Sequence, residues 1–256
     1  MRRVLRPLPT LLLLLIFFGA WELYVDSGGV NNLILPAPHS VIATLYDDRG
    51  LLWSNFLVSA KEIVLGSLVA AALGFAMAIS MHLLPRWRGA AYPLAIASQA
   101  IPVPILAVPL VFWLGFGLAP KLIVIAIVSF FSIVVTTMSG LATVDPALPK
   151  LMATFDATRW RTFRHVELPA ALPGLFTGLK LTLVVAVIAD VLAEQAGANS
   201  GLGYILLTAG PQLLTAEAFA AALILSLFAM LLFALLTAAE RLTLPWAYQP
   251  RGDGRS

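Results

Sequence analysis

Leu148 to Pro173, LPKLMATFDATRWRTFRHVELPAALP, is the one long interior stretch of this 256-residue chain that does not read as membrane-embedded. Leu148, Leu151, Met152 and Phe155 recur at helical spacing, which predicts a short helix with one apolar side. The pattern breaks at Asp156-Ala157-Thr158 and resumes with Trp160, Phe163 and Val166. Asp156 or Thr158 is expected to cap the second piece, because its side-chain oxygen can accept a free N–H at a helix start. Pro169 and Pro173 are expected to close the stretch. The result is two short helices meeting at an elbow. Arg159, Arg161, Arg164 and His165 interleave with the aromatics, so Phe155, Trp160 and Phe163 either pack onto their own bundle or enter a groove on another body.

On both sides of this stretch the chain is apolar. Hydrophobic residues make up 60% and charged ones 11%, with a mean hydropathy of +0.93. Soluble domains sit near 45–50% and about 25%. Apolar segments at approximately 8–25, 56–84, 90–114, 119–141, 172–193 and 216–239 each supply the roughly 20 residues that cross a hydrocarbon core of ~30 Å. The expected fold is therefore an all-α membrane protein, one domain over 1–256, with six transmembrane helices and a loop at 142–171 between spans four and five. A cleaved leader ending at Gly19-Ala20 is the alternative for the first span, and Phe18 argues against it. Residues 28–55 read as a polar connection, extended at Leu35-Pro36-Ala37-Pro38, with a short helix at Val41–Tyr46.

Lysine and arginine orient the chain. With the N-terminus inside, Arg2, Arg3, Arg6, Arg86, Arg88, Lys150, Arg159, Arg161, Arg164, Lys180, Arg241, Arg251 and Arg255 are cytoplasmic or at the inner interface. That is 13 of 16, leaving Arg49, Lys61 and Lys121 outside. Both termini and the 142–171 loop are then cytoplasmic. The net charge of +3 and pI near 9.4 come from scattered residues, with no basic face for nucleic acid. Gly174-x-x-x-Gly178 and Ala70-x-x-x-Gly74-x-x-x-Ala78 predict close helix packing. Pro102, Pro104 and Pro109 interrupt the third span, either as a break lining a pathway or as a kink within the bundle.

The chain contains no cysteine, which excludes disulfides and thiolate metal sites, and the three histidines form no ligand motif. No phosphate loop, nucleophile elbow or H-E-x-x-H motif occurs, so no catalytic residue, metal or cofactor is expected. Asp190 and Glu194 are spaced i, i+4 in an apolar segment. Acids there either face a pathway or, if the helix ends near Ala189, lie in an outer vestibule and orient the Gly197–Gly203 turn. Two acids at an outer mouth would favour neutral or cationic organic solutes.

Two motifs resemble a known family. Val166-Glu167-Leu168-Pro169 resembles the end of the cytoplasmic loop in permease subunits of ATP-binding-cassette importers, although Asp156 stands where that family has glycine and Lys150-Leu151-Met152 replaces its Glu-Ala-Ala. Ala193-Glu194-Gln195-Ala196-Gly197-Ala198-Asn199-Ser200-Gly201-Leu202-Gly203-Tyr204 resembles the A-E-x-x-G-A-x-x-G-L-G-Y segment of the nitrate/sulfonate/taurine type, whose relatives carry thiamine-precursor pyrimidines and riboflavin. The resemblance implies a bacterial inner-membrane permease that takes a small organic solute from an extracytoplasmic binding protein. It implies a homodimer in lipid, with two ATPase subunits docked on Phe155, Asp156, Ala157, Thr158, Arg159, Trp160 and Phe163. Leu168, Pro169, Glu194, Gly197, Gly201 and Gly203 carry the family motif, and Asp190, Pro102 and Pro104 are the pathway candidates. A self-contained, ion-coupled secondary transporter or channel is the alternative, and it would require several buried charges.

Overall fold

A computed structural model describes residues 8–248, and no strand occurs among them. The N-terminal Arg2, Arg3 and Arg6, the C-terminal Arg251 and Arg255, and hence the expected side of both termini lie outside the described residues. The helices are α1 (Leu8–Asp26), α2 (Pro38–Asp47), α3 (Arg49–Leu83), α4 (Pro85–Ser98), α5 (Val103–Leu114), α6 (Leu118–Ala142), α7 (Ala147–Thr154), α8 (Arg159–Thr162), α9 (Leu168–Gly197), α10 (Leu202–Ala209) and α11 (Thr215–Thr243). Among the described residues, α3, α6, the joined α8–α9 and α11 are long and apolar enough to cross a membrane, and α4 with α5 makes a fifth if the bent pair is one span.

The chain divides into two compact units, residues 1–59 with 199–226, and residues 60–198 with 227–256. In the first unit, Ala37 is extended, as a residue before proline is biased to be, and Pro38 opens α2 where its missing N–H has no helical acceptor. The helix runs a little longer than the expected Val41–Tyr46. His39 lies against Glu22 at the end of α1 and pairs with it through its ring. The side-chain hydrogen bond to Glu22 holds the His39 pKa above its usual 6.5. Trp21 packs on Phe219, ring centroids 6.0 Å apart.

The second unit is built around α6. Its Val124, Ile125, Phe130, Ile133, Val134, Met138 and Leu141 are buried, because small residues let two neighbouring helices approach its backbone. A side chain at Gly74 would stand 2.6 Å from the Phe130 carbonyl, and one at Gly178 would stand 2.9 Å from the Ile133 Cα. Both expected small-residue seams are therefore contacts of α3 and α9 with α6. At Gly178 and Gly174 the added carbon would also meet Thr136.

One open alternative is resolved and one expected boundary is corrected. The third span, placed at 90–114, is not one helix: α4 and α5 meet at 95°. Pro102 has no N–H to donate and Ile101, preceding it, is biased out of the helical region, so the helix stops and α5 starts afresh with extended Pro102 as its N-cap. Nor do Pro169 and Pro173 close the loop. A π-helical turn at Phe163–Glu167 joins α8 to α9, and Arg159–Gly197 forms one helical span of 39 residues. Pro169 is tolerated because the carbonyl four residues back, that of His165, already lies in the wider π turn.

Candidate functional site

The loop has the elbow its pattern predicts. α7 ends at Thr154, and Asp156 adopts φ 53°, the left-handed conformation that asparagine and aspartate visit more readily than other side chains. Between the two candidate caps, Thr158 does the capping: its hydroxyl accepts from the Arg161 N–H at 3.3 Å. Arg159 donates to the His82 carbonyl, 3.2 Å away at the end of α3, where a cation also complements the helix dipole. His82 Nε2 lies 2.8 Å from Glu167 of the V-E-L-P motif. These contacts fasten the elbow to α3.

The seven docking candidates then separate. Phe155 and Trp160 are 73% and 58% exposed, and Leu148 and Leu151 share that exposure. Phe163 is 1% exposed, so it is no part of an outer surface. It sits in the core with Met81, Met138 and Ala171, its ring stacked under Trp160 at 5.4 Å and beside His82 at 5.9 Å. Asp156, Arg159 and Thr158 shape and hold the elbow, and Ala157 closes it through its N–H to the Met152 carbonyl at 3.1 Å.

The Gly-rich motif is held by residues that the sequence reading did not single out. Gly201 has φ 117°, open to glycine and closed to most side chains. Its N–H donates to Asn55 Oδ1 at 2.6 Å, and the next N–H, of Leu202, donates to Ser59 Oγ at 2.8 Å. Two orphan donors at the start of α10 are thereby satisfied by side chains of α3. Gly203 is buried in the same helix. Gly197 ends α9, where a Cβ would press on Val111 and Phe116. Leu168 and Pro169 open that helix.

Of the two environments expected for the acids, the outer vestibule that an early helix end would have left is ruled out. α9 does not end near Ala189 but runs to Gly197, and both Asp190 and Glu194 are 0% exposed. Glu62 of α3 joins them, and the three offer carboxylate oxygens within 4.8 Å of one another. Lys121, in the first turn of α6, donates to Glu62 Oε1 at 2.7 Å, and both residues are nearly inaccessible. The remaining Glu62 oxygen and both Asp190 oxygens are buried without a hydrogen-bond donor. Lys121 is therefore buried in an ion pair with Glu62 and is not a free loop cation; the early end of α9, on which the charge argument about the solute stood, does not occur. The clue to this cluster was present in the sequence: an acid and a base each inside a long apolar run, where an ionisable residue is a functional hypothesis by default.

Lys180 of α9 pairs with Glu240 of α11. A cleft of about 1050 Å³ lies beside that pair, lined by Thr136, Asp145, Pro169, Gly174, Glu240 and Trp246 among others. Pro102 and Pro104 are exposed at the α4–α5 break.

The family described as binding-protein-dependent transport system inner membrane component matches residues 63–245. The formylaminopyrimidine transport permease protein ThiX of Halalkalibacterium halodurans is 32% identical, over 96% of this chain and 98% of its own. The riboflavin transport system permease protein RibX of Chloroflexus aurantiacus is also 32% identical, over 93% and 88%. Among solved structures, an inward-facing methionine ABC transporter, MetNI, superposes with a TM-score of 0.59 at 20% identity, covering 78% of this chain and 95% of that one.

Proposed function

Because the chain belongs to the family of binding-protein-dependent transport system inner membrane components, we propose that it is the permease subunit of an ATP-driven importer, with α1, α3, α4–α5, α6, α8–α9 and α11 as six passes and both ends cytoplasmic. Two copies enclose the path, two ATPase subunits dock on the α7–α8 elbow, and an extracytoplasmic binding protein delivers the solute. The chain supplies no catalytic group. Its part is to hold two packings whose balance the ATPase shifts when it binds nucleotide. The solute is a small organic molecule of the class that the pyrimidine- and riboflavin-transporting relatives are named for; sulfonate- and taurine-like solutes, named for other relatives, are the next candidates.

The observation that carries the docking assignment is the split between Phe155 and Trp160, held out to solvent on a fixed elbow, and Phe163, turned inward. Aromatic anchors of this kind dominate interface energies. The test is co-purification of the full chain with its ATPase subunit in detergent. Phe155→Ala with Trp160→Ala is expected to lose the complex while the permease keeps its thermal midpoint. Retention of the complex would remove the elbow as the docking element.

The cluster of Glu62, Lys121, Asp190 and Glu194 is the feature an ion-coupled carrier would need. Uptake into vesicles distinguishes the two readings. Transport that requires ATP and survives collapse of ion gradients supports the importer; the reverse supports the carrier.

A further inference from the structure

We propose that the Glu62–Lys121–Asp190–Glu194 cluster is a proton-binding site, with Asp190 held as the protonated acid and donating its O–H to Glu62. This stands on the geometry of the cluster and holds whichever solute is carried.

Charge sets the first constraint. Three carboxylates and one ammonium sum to −2 (three acids against one Lys121), in a site where all three acids are buried among packed helices. An uncompensated charge there costs far more than an added proton, so the group neutralises. Like charges sharing a site make one of them the acceptor of that proton.

Hydrogen bonding sets the second. An ionised carboxylate only accepts, whereas a protonated one supplies a donor. Lys121 already serves Glu62 Oε1, which leaves Glu62 Oε2 and both Asp190 oxygens buried with no donor. A single O–H between Asp190 and Glu62 satisfies one oxygen on each, and it is the donor that the arrangement lacks.

Charged groups come to Asp190 from three helices. α3 presents Glu62, α6 presents Lys121, and α9 itself presents Glu194. The packing of α5 on α6 and α9 is apolar, through Val103, Ala107 and Leu110 against Val124 and Ala193. A metal ion is a poorer occupant than a proton. The Lys121 ammonium would repel a cation at the one carboxylate it already holds, and Asp190 and Glu194 have no access to the water that would complete a coordination shell.

The test is infrared spectroscopy of the full chain in lipid nanodiscs at neutral pH. The expected result is a carbonyl stretch of a protonated, water-excluded carboxylic acid, lost completely in Asp190→Asn and retained in Glu194→Gln. Asparagine can donate as the protonated acid does, so Asp190→Asn should keep its thermal midpoint far better than Asp190→Ala. The proposal is overturned if the wild-type chain lacks the band, or if the band survives in Asp190→Asn. One divalent ion per chain by elemental analysis, in place of the band, would also overturn it. Titrating the band in the wild-type chain gives the answer even if every variant fails to fold: a band absent at all pH values down to mildly acidic conditions rejects the site.

Discussion

Lys121 and Glu62, 59 positions apart, meet at 2.7 Å between α6 and α3 with almost no solvent contact. Removing one partner of such a pair strands the other, which typically costs about 3–5 kcal/mol, whereas replacing both is often close to neutral. Lys121→Met should therefore lower the thermal midpoint in detergent sharply, and Lys121→Met with Glu62→Gln should recover most of the loss. A double variant no better than the single would show that the pair contributes through Asp190 and Glu194 and not through Glu62.

Asp156 holds a left-handed backbone conformation at the elbow. Glycine adopts it without strain, whereas a β-branched residue loses roughly 1–2 kcal/mol there. Asp156→Gly should match the wild type in stability and in ATPase association, and Asp156→Val should weaken both. Equal behaviour of the two would mean that the elbow relaxes to another shape.

Gly178 lies where α9 crosses α6, and an added carbon would meet Thr136 and the Ile133 backbone. Gly178→Val should destabilise by about 1–3 kcal/mol or prevent folding, as overpacking does. Gly89 in α4 has open space around the same position. Gly89→Ala should be neutral or stabilise by up to about 1 kcal/mol, since alanine is the better helix former. Thermal unfolding of the two variants side by side checks the contrast.

Glu22 holds the His39 pKa above 6.5 in the folded chain, chiefly through their hydrogen bond. A group with a raised folded pKa contributes stability that is complete below its unfolded value and is lost as pH rises through the folded one. Protease cutting of the 27–37 connection should accordingly increase as pH rises from the ordinary histidine value of 6.5 through the raised one, over the range in which the histidine loses its charge. Glu22→Gln should flatten that dependence. A profile unchanged by the substitution would detach the connection from the His39 charge.

Long-range apolar periodicity made the helical architecture readable from the chain alone, as it did the elbow between Thr154 and Arg159. The small-residue seams were readable for the same reason, since Gly74 and Gly178 leave a spacing that only close packing uses. The break at Pro102 was harder, because proline permits either a kink or a full stop and only the neighbouring packing decides. Phe163 and Trp160 look alike in sequence, three positions apart beside arginines, and the π turn that sends one inward has no sequence mark. The acid cluster was half visible. Asp190 and Glu194 share a helix and so a spacing, whereas Glu62 and Lys121 reach them only through tertiary contact.

Asp156 to Gly197 holds one further relationship, mechanical in kind. Because α8 continues through its π turn into α9, Trp160 and Asp190 ride on the same rod, 30 residues and thus roughly 45 Å apart at about 1.5 Å per residue. On a rod of that length a tilt of only ~5° about one end sweeps the other through ~4 Å. A small tilt at the elbow end is thus magnified, by leverage alone, into a displacement at Asp190 and Glu194 longer than a hydrogen bond.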